Sequence, residues 1–411
     1  IQNFEELRKG GYLYADKTDM VWQIANGDKY NFLSRPRRFG KSLLVSTLQC
    51  YFEGKKELFE GLKIMELEKD WIKRPVIHFS MNLGGSDADS LHHYLDDTLT
   101  KYEEIYGKRA TEATLSNRFT GIIERAYQQS GEQVAVLVDE YDAPLQHSYL
   151  TDRHEKCRNL YRDFFTGLKD YGYCIKCVFL TGITKFTQIS LFSVLNTLSN
   201  ISFYNSYSTI CGLTQEEILE NLKDEIQVLA VQKKWDIDQT IHELKDMYDG
   251  YHFSESLQGV YNPFSVISAL KERRLRPYWI ASGATEMLPK ILTNFEKDVE
   301  TLDGSLIDMD YIETADISKD NPKLFLYQSG YLTIKGVIGE TYRLGFPNRE
   351  VKKALLELVV PNMLNANKEE TEIASRHYAD AYAASKKKLI SLALVFDKEN
   401  RGLIDWQEAD K

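Results

Sequence analysis

The residue types that phosphate chemistry needs stand in two places in this sequence. The first is Arg35-Pro-Arg-Arg-Phe-Gly-Lys-Ser42. Gly40-Lys41-Ser42 opens a segment with apolar Leu43, Leu44 and Leu48, which marks a helix start. The first N–H groups of a helix have no intrahelical partner and are open to an anion. Lys41 would reach the terminal phosphates of a nucleotide, and the Ser42 hydroxyl would hold Mg²⁺. Arg35, Arg37, Arg38, Phe39 and Gly40 complete the loop as cofactor-binding candidates. The common form of such a loop has glycine where Arg35 stands. A chance Gly-Lys-Ser helix start flanked by solvated arginines is the competing reading.

The second place is Val134-Ala-Val-Leu-Val-Asp-Glu-Tyr-Asp142. An unbroken apolar run reads as a parallel strand buried on both faces. Carboxylates follow at its C-terminal end, where open α/β sheets bind ligands. Asp139 is expected to bind Mg²⁺ through water, and Glu140 to polarise the water that attacks the γ-phosphate. Burying such a pair without a cation is costly. A solvated acidic turn is the alternative. A third segment, Ile175 to Lys185, ends in Thr181, Thr184 and Lys185. Thr181 is expected to sense the γ-phosphate or orient water, and Lys185 to add a phosphate contact. The bland reading is a solvent-facing loop closed by a threonine.

These residues need a sheet to bring them together. Strands are expected at Tyr30–Leu33, Arg74–Ser80, Val134–Val138, Ile175–Thr181 and Ser208–Cys211. His78 reads as structural. Helices are expected at 18–26, 42–52 and 157–170, through the charged segment 53–70, and as two or three helices in 86–130. The aromatic arm 1–20 either covers a base or packs. From Thr214-Gln-Glu-Glu217, a capping-box start, residues 214–305 read as a helical lid. Asn262-Pro263 is placed to start one of its helices. Residues 324–347 read as a helix followed by a hairpin, of winged-helix type and with a packing role, and Asn348 caps a helix over 349–364.

The chain has 411 residues, long enough for two or three domains. A net charge of −10 argues against broad nucleic-acid coating but leaves a local basic groove open. No run approaches the ~20 apolar residues that span a bilayer, and no basic-then-apolar leader opens the chain. Cys174 and Cys177 lack a second pair for a zinc site. The odd count of five cysteines fits a reducing, cytoplasmic setting without membrane attachment.

Several stretches resemble the AAA-ATPase-like family of the Bacteroidetes type. They are Tyr14-Ala-Asp-Lys-Thr18, Arg35 to Ser42, Val138-Asp-Glu-Tyr-Asp142, Phe179-Leu-Thr-Gly-Ile-Thr-Lys185, Met247-Tyr-Asp-Gly-Tyr-His-Phe253 and Tyr261-Asn-Pro-Phe264. Arg35 in place of the first loop glycine is part of that family's pattern. The resemblance implies an α/β fold: a P-loop NTPase core with a parallel sheet (1–212), a helical lid (213–305) and a winged-helix-like module (306–365). It implies ATP and Mg²⁺ as cofactors, places Asp16 among the cofactor-binding residues, and makes Glu140 and Thr181 catalytic and Ser42 and Asp139 metal-binding.

Such proteins normally continue into a PD-(D/E)XK nuclease-superfamily domain. Here residues 366–411 resemble only a remnant of it. His377 to Tyr382 and Asn400 to Trp406 look like its last helix and strand, and Leu389–Phe396 reads as a single strand needing neighbours. The acidic and Glu-x-Lys strands of that domain are not found between 365 and 377. A degenerate copy, an engineered deletion or absent residues closed over in the numbering would each give this. The chain as written is not expected to cut DNA. Expected partners are ATP, nucleic acid through a nuclease-like domain of a longer parent chain, and further copies of the chain. The leading function is slow Mg-dependent ATP hydrolysis that switches an attached effector. The competing one is a nucleotide-binding or structural module without turnover. No arginine is clearly placed to stabilise the transition state, so a neighbouring subunit or the lid is expected to supply one.

Overall fold

A computed structural model describes residues 1–186, 198–279, 287–292, 302–315, 317, 321–355, 391–396 and 403–409. Expectations for the ends of the 213–305 and 349–364 segments and for 366–388 lie wholly or partly outside these residues. The central sheet holds β1 (Tyr30–Ser34), β2 (Val76–Ser80), β3 (Val134–Asp139), β4 (Ile175–Gly182) and β5 (Ser199–Asn200) in the order β2-β3-β4-β1-β5. Every pairing is parallel. All of β3 is buried, as its unbroken apolar run requires. β4 lies between β1 and β3, so the strand bearing Thr181 separates the basic loop from the acidic turn. Ser34 pairs with Gly182 and Val138 with Leu180, which puts three strand tips on one edge.

Helices flank the sheet: α1 (Phe4–Lys9), α2 (Thr18–Asn26), α3 (Lys41–Phe52), α4 (Ile64–Leu67), α5 (Ala88–Tyr106), α6 (Leu115–Ser130), α7 (Ala143–Ser148) and α8 (His154–Phe165). Asp87 and Thr114 cap α5 and α6 through their side chains, each satisfying an otherwise orphaned N–H. Arg118 is buried and joins the two helices, donating to Glu103 at 2.6 Å and pairing with Asp96. The aromatic arm packs: Phe4 lies 4.9 Å from Phe59 and 5.1 Å from Tyr14, ring to ring.

Two local expectations are corrected. Residues 53–70 form only a 3-10 turn, Lys56–Phe59, and the single turn of α4, because Gly54 and Gly61 take positive φ and break the helix. The fifth strand is Ser199–Asn200 and not Ser208–Cys211. The latter segment is turned, with the Ser208 hydroxyl donating to the Asn205 carbonyl at 2.9 Å.

Helices Gln215–Asn221, Lys223–Lys233, Ile237–Tyr248 and Pro263–Glu272 share a separate apolar cluster that includes Leu229, Leu244, Tyr248, Tyr261 and Val266. Thr214 and Glu217 form the capping box, and the Asn262 side chain accepts from Ser265 N–H at 3.1 Å with Pro263 in the first turn. Further on, helix Pro322–Gln328 leads into an antiparallel hairpin, β7 (Thr333–Ile338) and β8 (Thr341–Gly345). β6 (Leu306–Asp308) pairs with β8. Asn348 caps helix 349–355 through Val351 N–H. Apolar residues of this part, among them Leu324, Phe325, Ile334 and Leu344, belong to the same buried cluster as the central sheet. Residues 391–396 are not a lone strand: as β9 (Ser391–Phe396) they pair antiparallel with β10 (Leu403–Ala409), which pairs one backbone edge of each.

Candidate functional site

The basic loop runs from the tip of β1 to the start of α3. Gly40 sits at φ 95° and is exposed, and nothing lies within 4 Å of where its Cβ would be. Glycine adopts that conformation without steric cost. Lys41 is buried, and its ammonium donates to the carbonyls of Arg35 and Pro36, each at 2.9 Å. Burial pushes its pKa down, while Asp139, Glu140 and Asp142 oppose that shift in this order. Its positive charge is therefore within electrostatic reach of the acidic turn. Ser42 follows in the first turn of α3, half-buried.

The acidic turn has two kinds of carboxylate. Asp142 is 1% exposed and fully used. It accepts from Thr184 N–H at 2.7 Å, the Thr184 hydroxyl at 2.6 Å, Ile183 N–H at 3.1 Å and the Gln146 amide at 2.5 Å. Asp139 is 5% exposed, and its Oδ1 has no hydrogen-bond partner. Glu140 holds φ 51°, a conformation that costs roughly 1–3 kcal/mol outside glycine. Burial raises its pKa, Asp139 adds to the rise, and Lys41 and then Arg37 counter it. A buried carboxylate oxygen without a donor, within electrostatic reach of a buried ammonium, suits a divalent cation carried in with phosphates.

The other sequence candidates are placed as follows. Arg35 is 1% exposed, and its guanidinium donates to the carbonyls of Ser34, Ser202 and Tyr207 at 2.8–2.9 Å and lies 4.2 Å above the Phe253 ring. It is thereby built into the floor of the loop and not set toward a phosphate, because burying the cation demands those acceptors. Phe39 packs edge-on against Tyr251 and Phe253, at 4.8 and 5.5 Å. Arg38, at φ 68°, is exposed and stacks 5.0 Å from Phe264 of the lid. Thr181 lies at the tip of β4, but its hydroxyl donates to the Leu33 carbonyl at 2.9 Å. Lys185 donates from its ammonium to the Glu313 carbonyl at 2.5 Å. Asp16 accepts from the Thr18 N–H and hydroxyl just before α2 and from Lys63 N–H. These last three are engaged within the fold, each across a long sequence separation.

Sequence reasoning missed the clamp on the loop. Trp279 Nε1 donates to the Arg37 carbonyl at 3.2 Å. A Cβ on Gly330 would stand 2.7 Å from the Pro36 Cβ, so glycine is what permits that approach. Glu350 is fully buried and accepts from the Tyr278 and Trp279 N–H groups and the Ser265 hydroxyl. No local pattern marks such contacts. The Asn348-Arg-Glu350 cap is a signal only for a helix start.

A parallel sheet sets a Gly-Lys-Ser helix start one strand away from a strand-end acidic pair, an arrangement consistent with an ATPase-like α/β domain. Residues 1–192 match the family model described as "Predicted AAA-ATPase". An uncharacterized protein from the vnfD 5′ region of Azotobacter chroococcum mcd 1 is 34% identical over 368 residues, covering 88% of this chain and 69% of that one. The chain belongs to the AAA-ATPase-like family. No helix among the described residues is long and apolar enough to cross a membrane.

Proposed function

We propose that the chain binds ATP with Mg²⁺ at the joined tips of β1 and β3 and hydrolyses it slowly, as a conformational switch. The observation that carries this reading is the buried Lys41 ammonium at the start of α3 together with the buried Asp139 oxygen that no donor meets at the tip of β3. Lys41 exchanges the loop carbonyls for the terminal phosphates, and α3 offers its first N–H groups to them. Ser42 and Asp139 would hold Mg²⁺, which neutralises phosphate charge when bound. Glu140 orients the attacking water and takes its proton as the γ-phosphorus bond to ADP breaks. Thr181 holds β4 to β1 and so keeps the two tips in register. The competing module without turnover would have the loop collapsed or Arg35 to Arg38 filling the phosphate space; Arg35 is spent on three carbonyls, while the Lys41 ammonium rests on the loop's own carbonyls.

The switch follows from the packing of the lid and C-terminal part against the loop at Phe264, Phe253, Trp279 and Gly330. A nucleotide that shifts the loop shifts these contacts. The effector reading of residues 366–411 is supported by their resemblance to the end of a nuclease-like domain. Calorimetric titration with ATP–Mg²⁺ tests the core claim. Lys41→Ala should weaken binding about 10²-fold, on the scale of one charge-assisted contact. Equal affinity in both proteins, or none in the wild type at millimolar ATP, defeats it.

A further inference from the structure

Asp249 and His252, in the segment Met247-Tyr-Asp-Gly-Tyr-His-Phe253, have no part in the nucleotide site. Asp249 is the C-cap of the helix Ile237–Tyr248 and is 6% exposed. Its Oδ1 is buried and has no hydrogen-bond partner. His252 is half-buried and held by β7. Its backbone N–H donates to the Thr333 hydroxyl at 2.7 Å, and its Nδ1 lies 2.7 Å from the Ile334 carbonyl. A carbonyl only accepts, so Nδ1 carries the ring proton and Nε2 presents a lone pair. Burial pushes the imidazole pKa down, which favours that neutral form. The two side chains meet at one place. A Cβ on Gly259 would stand 3.2 Å from Asp249 Oδ1, 3.5 Å from its Oδ2 and 3.5 Å from His252 Nε2. Only a residue without a side chain leaves that space to them.

We infer that Asp249 and His252 bind one divalent transition-metal ion of the Zn²⁺ type beside Gly259. A buried carboxylate oxygen without a donor and a neutral imidazole nitrogen both offer lone pairs. Imidazole with carboxylate suits Zn²⁺, whereas Mg²⁺ and Ca²⁺ prefer oxygen ligands alone. A backbone carbonyl on the far nitrogen is what fixes the tautomer and orientation of a metal-ligating histidine. The neighbouring charges balance. Lys245 and Lys335 are within electrostatic reach of Asp249, but Glu216 is within reach of Lys245 and Asp303 of Lys335. The Lys335 ammonium is also tied to the Pro347 carbonyl at 3.0 Å. No third His, Cys, Asp or Glu joins the pair among the described residues, so water fills the remaining positions and the ion is exchangeable. Such an ion would tie the end of the helix Ile237–Tyr248 to β7 through His252. It uses none of the residues at the joined strand tips and needs no nucleotide.

The test uses the full chain, stripped of metal with a chelator and kept free of nucleotide. It is titrated with zinc sulfate, and with magnesium sulfate as the control, by calorimetry and thermal unfolding. Zn²⁺ should bind the wild type at micromolar concentration and raise its melting temperature, and Mg²⁺ at the same concentration should do neither. Asp249→Asn keeps the shape of the side chain without its charge. His252→Asn keeps a donor for the Ile334 carbonyl and removes Nε2. Each should weaken Zn²⁺ binding by at least about 10²-fold, more than the loss of a supporting contact costs. Gly259→Ala leaves both ligands in the chain but puts a methyl group between them, and should weaken binding by about 10-fold or more. Co²⁺ in place of Zn²⁺ should give visible absorption bands without the near-ultraviolet band of a thiolate ligand, which separates this site from the cysteines. Unaltered Zn²⁺ binding in any of the three variants overturns the inference. So does a folded wild type that binds no Zn²⁺, or a thiolate band with Co²⁺. Should Asp249→Asn or His252→Asn fail to fold, Gly259→Ala and the Co²⁺ spectrum decide.

Discussion

Asp139 and Asp142 leave the same strand within one turn of chain and are both buried, yet the regions around them are built differently. The Asp142 region is closed. Four donors from Ile183, Thr184 and Gln146 satisfy its carboxylate, and the Tyr141 hydroxyl donates to the Thr184 carbonyl alongside at 2.8 Å. The Asp139 region is open. One of its oxygens has no donor, the neighbouring Glu140 carries a raised pKa, and the nearby Lys41 is held only by loop carbonyls. Closed polar networks rigidify a fold, whereas unmet buried charge destabilises it until a ligand arrives. The closed region is what lets the open one stay in place, because it fastens the acidic turn to the tip of β4.

The largest effect should come from reversing that contrast. Asp142→Ala strips the acceptor from two buried N–H groups and a buried hydroxyl, and should cost about 3–5 kcal/mol of stability. Asp139→Asn removes a charge that the ligand-free fold does not satisfy and should cost about 1 kcal/mol or less, while weakening Mg-dependent nucleotide binding. Urea unfolding of both variants without nucleotide measures the difference. Equal losses would mean that the two regions do not differ in kind.

This contrast was only half legible in the sequence. β3 could be read because five apolar residues in a row have few other uses, and Gly40-Lys41-Ser42 because a helix start needs little context. Asp142 read as mere turn, since three of its four donors lie some forty residues on and come together only when β4 docks beside β3. Arg35 read as a phosphate ligand for the same reason: the carbonyls that hold it belong to residues 202 and 207. Arg118 on α6 shows the limit of helical periodicity, which cannot tell a solvated arginine from one buried between Asp96 and Glu103. β5 has two residues, too few to carry any pattern.

Within the open region Glu140 gives the next prediction. If it accepts the proton of the attacking water, Glu140→Gln should keep ATP bound and slow turnover by at least about 10²-fold. The pH dependence sharpens this. Burial first, and Asp139 and Asp142 besides, raise its pKa, against Lys41 and Arg37. The folded chain therefore holds this proton to a higher pH than the unfolded chain does. Between the ordinary carboxylate value and the raised one the native state binds more protons, so this group's contribution to stability falls as pH rises. Wild-type kcat should rise over that same window. The difference in melting temperature between wild type and Glu140→Gln should change with pH there and level off above it. A flat difference together with an unchanged rate would take Glu140 out of the open region's chemistry.

The smallest expected effect lies on the outer side of the loop, where the comparison meets the lid. Trp279→Phe keeps an aromatic ring against Tyr331 but removes the N–H that donates to the Arg37 carbonyl. One such bond is worth about 1 kcal/mol net, or about fivefold in affinity. If the tryptophan only fills space, that loss should appear as a lower melting temperature with ATP affinity intact. If it sets the loop, ATP affinity or kcat should fall about fivefold, and a second substitution, Lys41→Ala, should make the Trp279→Phe loss disappear. Such non-additivity is expected of groups acting on one site, whereas distant and independent groups add. The double-mutant cycle therefore asks whether the lid reaches the open region at all. A coupling near zero would confine the lid to packing, and the switch would need another route.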